Sequence, residues 1–353
     1  MRYTRQLLAV ALALLVLTTG AVGVMGTVTA QEETETDPFP LTVTDATGEE
    51  VTIEEPPERV VTLAPSAAQT MYEIGAQEKV VGISDRGTYL DWDEEKAIIS
   101  NDDGAVSTEE VVAQEPDIVL APDIIGDDKV EQLREAGLTV YNFESATSMD
   151  DVVEKTRLTG ELVGSADDAN ALADEMEESL EIVRTAVEDE ERPTALYLLG
   201  GEYTAGDETF INSVIETAGG TNIAANHFSG YAQISSEIVA NESPEYILVS
   251  TEAPEVIPDE DAYNNTAAVQ NDQIIEINAN YLNQPAPRTI QVVEDLASTW
   301  HPDAYESAVE SFAEETTADD ANTTAVTTET ETPGFGPILA LLAIVGAAVR
   351  LRE

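Results

Sequence analysis

Short runs of β-branched and other apolar residues alternate along most of this chain with segments of helical spacing. In the first half, Arg59-Val-Val-Thr-Leu-Ala, Lys79-Val-Val-Gly-Ile, Asp117-Ile-Val-Leu-Ala and Leu138-Thr-Val-Tyr-Asn-Phe predict strands. Helices are predicted between them, around Gln69 to Ile74, Thr108 to Gln114 and Asp128 to Glu135. Strands that alternate with helices predict a parallel sheet. After Pro193 the order restarts with the strand Thr194-Ala-Leu-Tyr-Leu-Leu, a helix from Thr209 to Ala218, and the strand Gln273-Ile-Ile-Glu-Ile-Asn.

Between the two halves, Ser148-Met-Asp-Asp begins a capped helix that ends near Gly164, and Ser165-Ala-Asp-Asp is placed to cap a second. That second helix carries apolar residues at Ala169, Leu172, Met176, Leu180, Val183 and Val187, in steps of three and four. It predicts a rigid strut about 35 Å long at 1.5 Å per residue. The pattern is therefore α/β: two parallel-sheet lobes joined by one long α-helix.

One stretch occurs twice, about 128 residues apart: Ser107-Thr-Glu-Glu-Val-Val-Ala-Gln-Glu-Pro-Asp-Ile-Val-Leu-Ala and Ser235-Ser-Glu-Ile-Val-Ala-Asn-Glu-Ser-Pro-Glu-Tyr-Ile-Leu-Val. Each reads as an N-capping Ser, an acid in the first turn, a helix stopped by Pro116 or Pro244, and a buried strand. Glu109 and Glu237 thus take equivalent surface positions on the two lobes. That symmetry predicts a two-point docking surface rather than one catalytic centre.

The charge changes the picture of where such a protein works. Lys plus Arg total 15 against 70 Asp plus Glu, a formal charge of −55, and only four of the bases are Lys. A surface this acidic repels nucleic acid. With 42% apolar residues the chain still has material for a core, so the acidity is read as adaptation to multimolar salt, where self-repulsion is screened. Arg2, Arg5, an apolar run from Leu7 to Leu17 and Val28-Thr29-Ala30 form a secretory leader over residues 1–30. Cysteine is absent, which removes disulfides, thiolate metal sites and a lipid-bearing N-terminal Cys.

The other end is tripartite: a Thr- and acid-rich stretch from Thr316 to Thr332, then Pro333-Gly334-Phe335-Gly336-Pro337, then an apolar run from Ile338 to Val349 with Arg350 and Arg352. It resembles the PGF-CTERM signal of haloarchaeal surface proteins, which implies cleavage and lipid attachment; a plain membrane helix is the alternative. The layout is then a leader over 1–30, an N-terminal lobe over 39–147, linking helices over 148–192, a C-terminal lobe over 193–312, a stalk over 313–332 and an anchor over 333–353. Asn241, Asn264 and Asn322 stand in glycosylation triplets.

Catalysis finds little material. His227 and His301 are the only histidines, and no nucleophile elbow, phosphate loop or paired-His motif occurs. A bare Zn or Mn receptor would want more His. A structural surface-layer or adhesion protein would fit the stalk and the charge, but not two lobes with matching glutamates.

Six motifs in order resemble the class III substrate-binding proteins of ABC importers, which serve cobalamin, ferric siderophores and haem. They are Arg59-Val-Val-Thr-Leu-Ala-Pro-Ser, Gly75-Ala-Gln-Glu-Lys-Val-Val-Gly-Ile-Ser-Asp, Glu115-Pro-Asp-Ile-Val-Leu-Ala, Tyr203-Thr-Ala-Gly, Gly219-Gly-Thr-Asn-Ile-Ala and Pro285-Ala-Pro-Arg. The resemblance covers Leu41 to Pro302 and is closest to the cobalamin type, which shares Gly230-Tyr-Ala-Gln-Ile-Ser. It implies a monomeric receptor, tethered outside the membrane, that delivers its ligand to an ABC permease dimer with a cytoplasmic ATPase. It also implies that Glu109 and Glu237 meet Arg side chains of the permease, that a ligand cleft lies between the lobes, and that Tyr89, Tyr203, Tyr231 and Tyr281, with Trp92, line it. Arg86 and Arg288 are cleft candidates for an anionic group. No resident cofactor or metal is expected; a corrinoid or ferric complex would be cargo. Asn101-Asp102-Asp103-Gly104 stands where the cobalamin type has an aromatic, and Arg86 stands where an aromatic is often found, so an anionic ferric siderophore fits as well; cobalamin or a related corrinoid is the first reading, and a ferric siderophore or haem the second.

Overall fold

The computed structural model describes residues 38–101, 103–251 and 257–324; the leader and the anchor segment lie outside them. The chain enters through an antiparallel hairpin of β1 (Leu41–Thr44) and β2 (Glu50–Ile53), which the alternation of long runs does not announce. There follow β3 (Val60–Thr62), α1 (Pro65–Glu73), β4 (Val80–Ile83), β5 (Ala97–Ile98), α2 (Thr108–Ala113), β6 (Ile118–Ala121), α3 (Asp127–Glu135) and β7 (Val140–Asn142). The five strands β3 to β7 form one parallel sheet in the order β5-β4-β3-β6-β7. The chain therefore starts in the centre, runs to one edge, and returns to the other side of β3. Crossovers on opposite faces leave a crevice at the carboxyl ends of β3 and β6.

Successive residues of these strands feed two different cores. Val60, Ile118 and Leu120 pack on one face with Met71 of α1 and Ile74 just after it, while Val61, Val119 and Ala121 pack on the other with Val111 of α2 and Leu133 of α3. Both faces of the sheet are buried, which is why these strands read as continuous apolar runs rather than alternating ones. Each such side chain contributes about 1.5–3 kcal/mol of transfer free energy.

The connection between lobes is α4 (Met149–Val163) and α5 (Ala166–Val187). Ser148 Oγ accepts from the Asp151 N–H at 3.2 Å, and Asp151 Oδ2 accepts from the Ser148 N–H at 2.9 Å, closing the predicted capping box. The predicted cap at Ser165 does not form. Its backbone instead donates to the Gly160 carbonyl at 2.8 Å, in a turn made possible by Gly164 at φ 69°. Arg157 pairs with Asp174 and Glu177 at 2.7 and 2.8 Å, and Arg184 with Asp150 at 2.6 Å, so the two helices run antiparallel. At their closest approach a Cβ on Gly160 would lie 2.2 Å from that of Ala169.

The long helix is thus one half of a helical hairpin, and the hairpin belongs to both lobes. Ala169, Leu162 and Val163 are buried in the N-terminal core, whereas Met149, Val152, Met176, Leu180, Val183 and Val187 are buried in the C-terminal one. A connection anchored in two cores resists large interlobe rotation.

The second lobe contains β8 (Thr194–Leu198), β9 (Tyr203–Ala205), α6 (Phe210–Thr217), β10 (Thr221–Asn222), β11 (Tyr231–Gln233), α7 (Ser236–Glu242) and β12 (Tyr246–Ser250). It continues through α8 (Asp261–Asn264), α9 (Ala267–Gln270), β13 (Ile274–Ile277), α10 (Ala279–Leu282), α11 (Thr289–Trp300) and α12 (Pro302–Thr324). Its parallel sheet has the order β10-β8-β12-β13. Here too alternate residues serve two cores, with Tyr197 and Leu248 on one face and Leu196, Leu198, Ile247 and Val249 on the other. A separate antiparallel ribbon pairs β9 with β11. The terminal helix α12 runs on to Thr324, into the segment read from composition as a stalk.

Candidate ligand-binding cleft

The carboxyl ends of the N-terminal strands open onto a cleft of about 1000 Å³ that both lobes line. Five loops build the N-terminal wall: Leu63 to Ser66 after β3, Ser84 to Arg86 after β4, Gly104 to Val106 between β5 and α2, Pro122 to Ile125 after β6, and Glu144 to Thr147 after β7. The C-terminal wall consists of Glu208 to Ile211 at the start of α6, Tyr231 on the ribbon, and the segment around α10 that includes Asn280 and Gln284. A cleft of this volume lies at the upper end of the range for small-molecule sites.

Three large apolar side chains near the cleft stay in solvent. Ile124 is 85% exposed and lines the N-terminal wall, and Tyr231 is 49% exposed on the opposite one. Tyr203, 44% exposed, stacks on Tyr231 with ring centroids 6.5 Å apart and planes at 18°. The pairing comes from the ribbon, whose register places Tyr203 opposite Gln233 and Tyr231 opposite Ala205, so the two tyrosines emerge on one face. Exposed rings on a rigid ribbon make a flat apolar platform.

The basic residues of the walls are Arg86, Lys129 and Lys155. Lys155 sits in the middle of α4, three residues after buried Val152, and is only 9% exposed. Burial lowers its pKa to about 8, with the nearby Asp123 charge opposing the shift. Its Nζ lies 5.1 Å from the centroid of the Phe143 ring.

Beside the cleft, a polar clasp ties the lobes together. Gln69 of α1 donates to the Tyr89 hydroxyl at 2.7 Å and to the Asn280 carbonyl at 3.2 Å, while its Oε1 accepts from the Arg288 N–H at 2.8 Å. Gln284 donates to the same hydroxyl at 2.8 Å. Burial pushes the Tyr89 phenol above its ordinary pKa, which keeps it neutral. Arg288 Nε pairs with Glu73 Oε1 at 2.6 Å, and its guanidinium lies 5.3 and 5.5 Å from the Tyr72 and Tyr281 ring centroids.

The candidates read from the sequence therefore separate. Arg86 and Tyr231 line the cleft and Tyr203 backs it. Tyr89, Tyr281 and Arg288 do not line it: Tyr89 and Arg288 are taken up by interlobe contacts, and the Tyr281 ring packs beside Arg288 within the C-terminal lobe. Trp92 lies within the N-terminal lobe, edge-on to Tyr72 at 5.6 Å, with its Nε1–H on the Gly87 carbonyl at 3.0 Å.

Glu109 and Glu237 are both exposed and both occupy the second position of a helix, α2 or α7. In each case the preceding Ser performs the capping: Ser107 Oγ accepts from the Glu110 N–H and Ser235 Oγ from the Ile238 N–H, both at 3.3 Å. Among the described residues neither glutamate forms an ion pair. His301 is buried against the Gly219 carbonyl at 3.2 Å, and His227 pairs with Glu242 at 2.8 Å, so neither faces the cleft.

A family model described as periplasmic binding protein matches residues 60–281. The chain belongs to that family. A cobalamin-binding protein of Halobacterium salinarum is 40% identical to it over 275 residues, which are 74% of each chain. The structure of the periplasmic vitamin B12 binding protein BtuF of Vibrio cholerae has a TM-score of 0.62 at 25% identity, covering 72% of this chain and 98% of that one. An ABC-type Fe3+-hydroxamate transport system structure from Saccharomonospora viridis has a TM-score of 0.60 at 26% identity, covering 74% and 99%. The two-lobe α/β architecture is that of these periplasmic binding proteins.

Two wall residues of this binding protein escape a reading by motif. Ile124 lies three residues past the end of β6, and an isoleucine in a turn after a buried strand reads as the end of the strand. Lys155 lies in a helix, where a lysine reads as solvated surface. The position of Lys155 relative to Val152, Thr156 and Thr159, all on the buried face, is the signal that would have found it.

Proposed function

We propose that this chain is the extracytoplasmic substrate-binding protein of an ABC importer and that its ligand is cobalamin or a related corrinoid. The observation that carries the reading is the stacked Tyr203–Tyr231 platform facing Ile124 across a cleft of about 1000 Å³. A corrin ring is large, flat and apolar on its faces, and such rings bind by burying area between aromatic and aliphatic side chains. The cobalamin-binding relative of Halobacterium salinarum supports the same ligand. The corrinoid is cargo; the protein holds no cofactor of its own and performs no chemistry.

On this reading the loaded monomer presents Glu109 and Glu237 to two permease subunits, whose Arg side chains make charge-assisted hydrogen bonds with them. A leader over 1–30 directs the chain out of the cell, and a PGF-CTERM-like segment over 333–353 tethers it there. The acidic surface suits a haloarchaeal milieu of multimolar salt. Among the described residues no helix is long and apolar enough to cross a membrane.

A ferric siderophore is the second reading, favoured by Arg86, Lys129 and Lys155 on one wall. Calorimetric titration of the purified protein in multimolar KCl, with cyanocobalamin and with a negatively charged ferric tricatecholate, separates the two. Tight 1:1 binding of cyanocobalamin alone is expected; binding of the ferric compound alone overturns the corrinoid reading. The docking assignment is tested by the double variant Glu109→Gln, Glu237→Gln, which should lose uptake in cells while retaining ligand affinity. Uptake at the unsubstituted rate would refute it.

A further inference from the structure

We propose that the N-terminal wall of the cleft contains a subsite for an anionic group of the ligand, with Lys155 as its central contact and Arg86 and Lys129 beside it. On the corrinoid reading, on which the identity of the anion rests, that group is the phosphodiester of the nucleotide loop.

In a protein with 70 acids and 15 bases, nearly every cation should find a carboxylate or a carbonyl. Away from the cleft this holds for every described base. Arg134, Arg157, Arg184 and Arg288 form ion pairs. Arg59, Arg192, Lys79 and Lys96 donate to backbone carbonyls. The three that line the cleft differ. Lys129 is held by the neutral Gln132 side chain at 2.6 Å and the Thr108 hydroxyl at 3.3 Å. Among the described residues, Arg86 and Lys155 have neither an ion pair nor a hydrogen bond at their charged ends.

Chance placement also disfavours such a wall. Two of the chain's four lysines line it, and its three bases face only four acids, Asp85, Asp123, Glu144 and Glu208. Three bases to four acids is a far more balanced ratio than 15 to 70 for the chain, which is what an approaching anion requires.

Lys155 carries the most weight because it is buried. A desolvated ammonium without an ion-pair partner is costly, and an unbranched Met of similar volume would fill the space without that cost. Asp123, the nearest acid, is already engaged by the Ser145 hydroxyl. The Phe143 ring supports one side of the ammonium, and the remaining partner is left for a molecule in the cleft. With its pKa near 8 the group is still largely protonated at neutral pH, and a bound anion would raise that value.

The test compares two corrinoids by calorimetry: cyanocobalamin, and cobinamide, which has the corrin ring without the nucleotide loop and its phosphodiester. The unsubstituted protein should prefer cyanocobalamin by roughly tenfold or more, the range for one charge-assisted hydrogen bond. Lys155→Met should lose that preference by weakening cyanocobalamin alone, and Lys155→Arg should keep most of it. Thermal melts of both variants establish that they are folded. Equal weakening of both corrinoids by Lys155→Met, or no weakening of either, overturns the subsite.

If neither corrinoid binds, the corrinoid reading falls by itself. A negatively charged ferric tricatecholate is then compared with an uncharged ferric trihydroxamate. A preference for the tricatecholate that Lys155→Met abolishes sustains the subsite. Binding of none of the four compounds overturns both proposals.

Discussion

Replacing Lys155 with Met should change how the stability of the protein depends on pH, and the structure sets both sign and size. Lys155 has a folded pKa of about 8 against 10.5 for the free side chain. Below pH 8 the ammonium is protonated in both states, and the fold bears the full cost of burying it. As the pH rises from 8 to 10.5, the folded protein releases the proton while the unfolded chain retains it, so the unfolded state binds more protons and stability climbs. Above 10.5 both are neutral and the effect levels off. A shift of that size corresponds to about 3 kcal/mol, at 1.36 kcal/mol per pKa unit. Ligand-free protein and Lys155→Met would be unfolded in urea at constant KCl, at intervals from pH 7 to pH 10.5, following tryptophan fluorescence. The unfolding free energy of the parent minus that of the variant should rise by about 3 kcal/mol over that interval, with Met the more stable side chain at neutral pH. Tyrosine titration at the upper end is common to both proteins and cancels in the difference. A difference that stays flat with pH would mean a solvated ammonium, and would refute the claim that Lys155 is buried without a partner.

Three other substitutions probe separate parts of the structure. Gly160→Ala forces a Cβ within 2.2 Å of the Ala169 Cβ and 2.8 Å of the Ser165 carbonyl oxygen, so α4 and α5 must move apart; a loss of about 2–4 kcal/mol is expected in urea unfolding, and a midpoint within error of the parent would refute that close approach. Glu73→Gln leaves Arg288 without its carboxylate in a site where both side chains are about four-fifths buried; a destabilisation of about 1–2 kcal/mol is expected by thermal unfolding, and none would mean that the clasp does not hold the lobes. Tyr231→Ala removes half of the stacked platform from the surface, so stability should stay within about 0.5 kcal/mol while calorimetry shows ligand affinity falling by tenfold or more. An unchanged affinity would exclude the ribbon from the binding surface.

How much of this was legible beforehand differs between the fold and the cleft. The parallel strands announce themselves because both of their faces are buried, which leaves uninterrupted runs such as Ile118 to Ala121 and Ile247 to Val249 that need no knowledge of neighbours. The repeat that predicted equivalent sites for Glu109 and Glu237 is also local: a capping Ser, two turns of helix and a strand. The β1–β2 hairpin and the β9–β11 ribbon are not legible in the sequence because each strand is only three or four residues long. Ser165 failed as a cap because the tight turn at Gly164 turned its backbone toward the Gly160 carbonyl.

The sequence by itself determined two α/β lobes, the helical connection between them and the pair of exposed glutamates, since each depends on residues within about twenty positions of one another. Only the tertiary structure decided which aromatics and cations meet the ligand. Tyr89 and Arg288 fulfil the same sequence expectations as Tyr231 and Arg86, yet they are taken up by Gln69, Gln284 and Glu73, partners up to 219 positions away in the chain. Lys155, unremarkable on a helix, becomes the buried cation of the cleft because α4 is pressed against both lobes. Local periodicity is set by backbone geometry within one element, whereas access to a cleft is set by which elements pack across it, and no single segment carries that information.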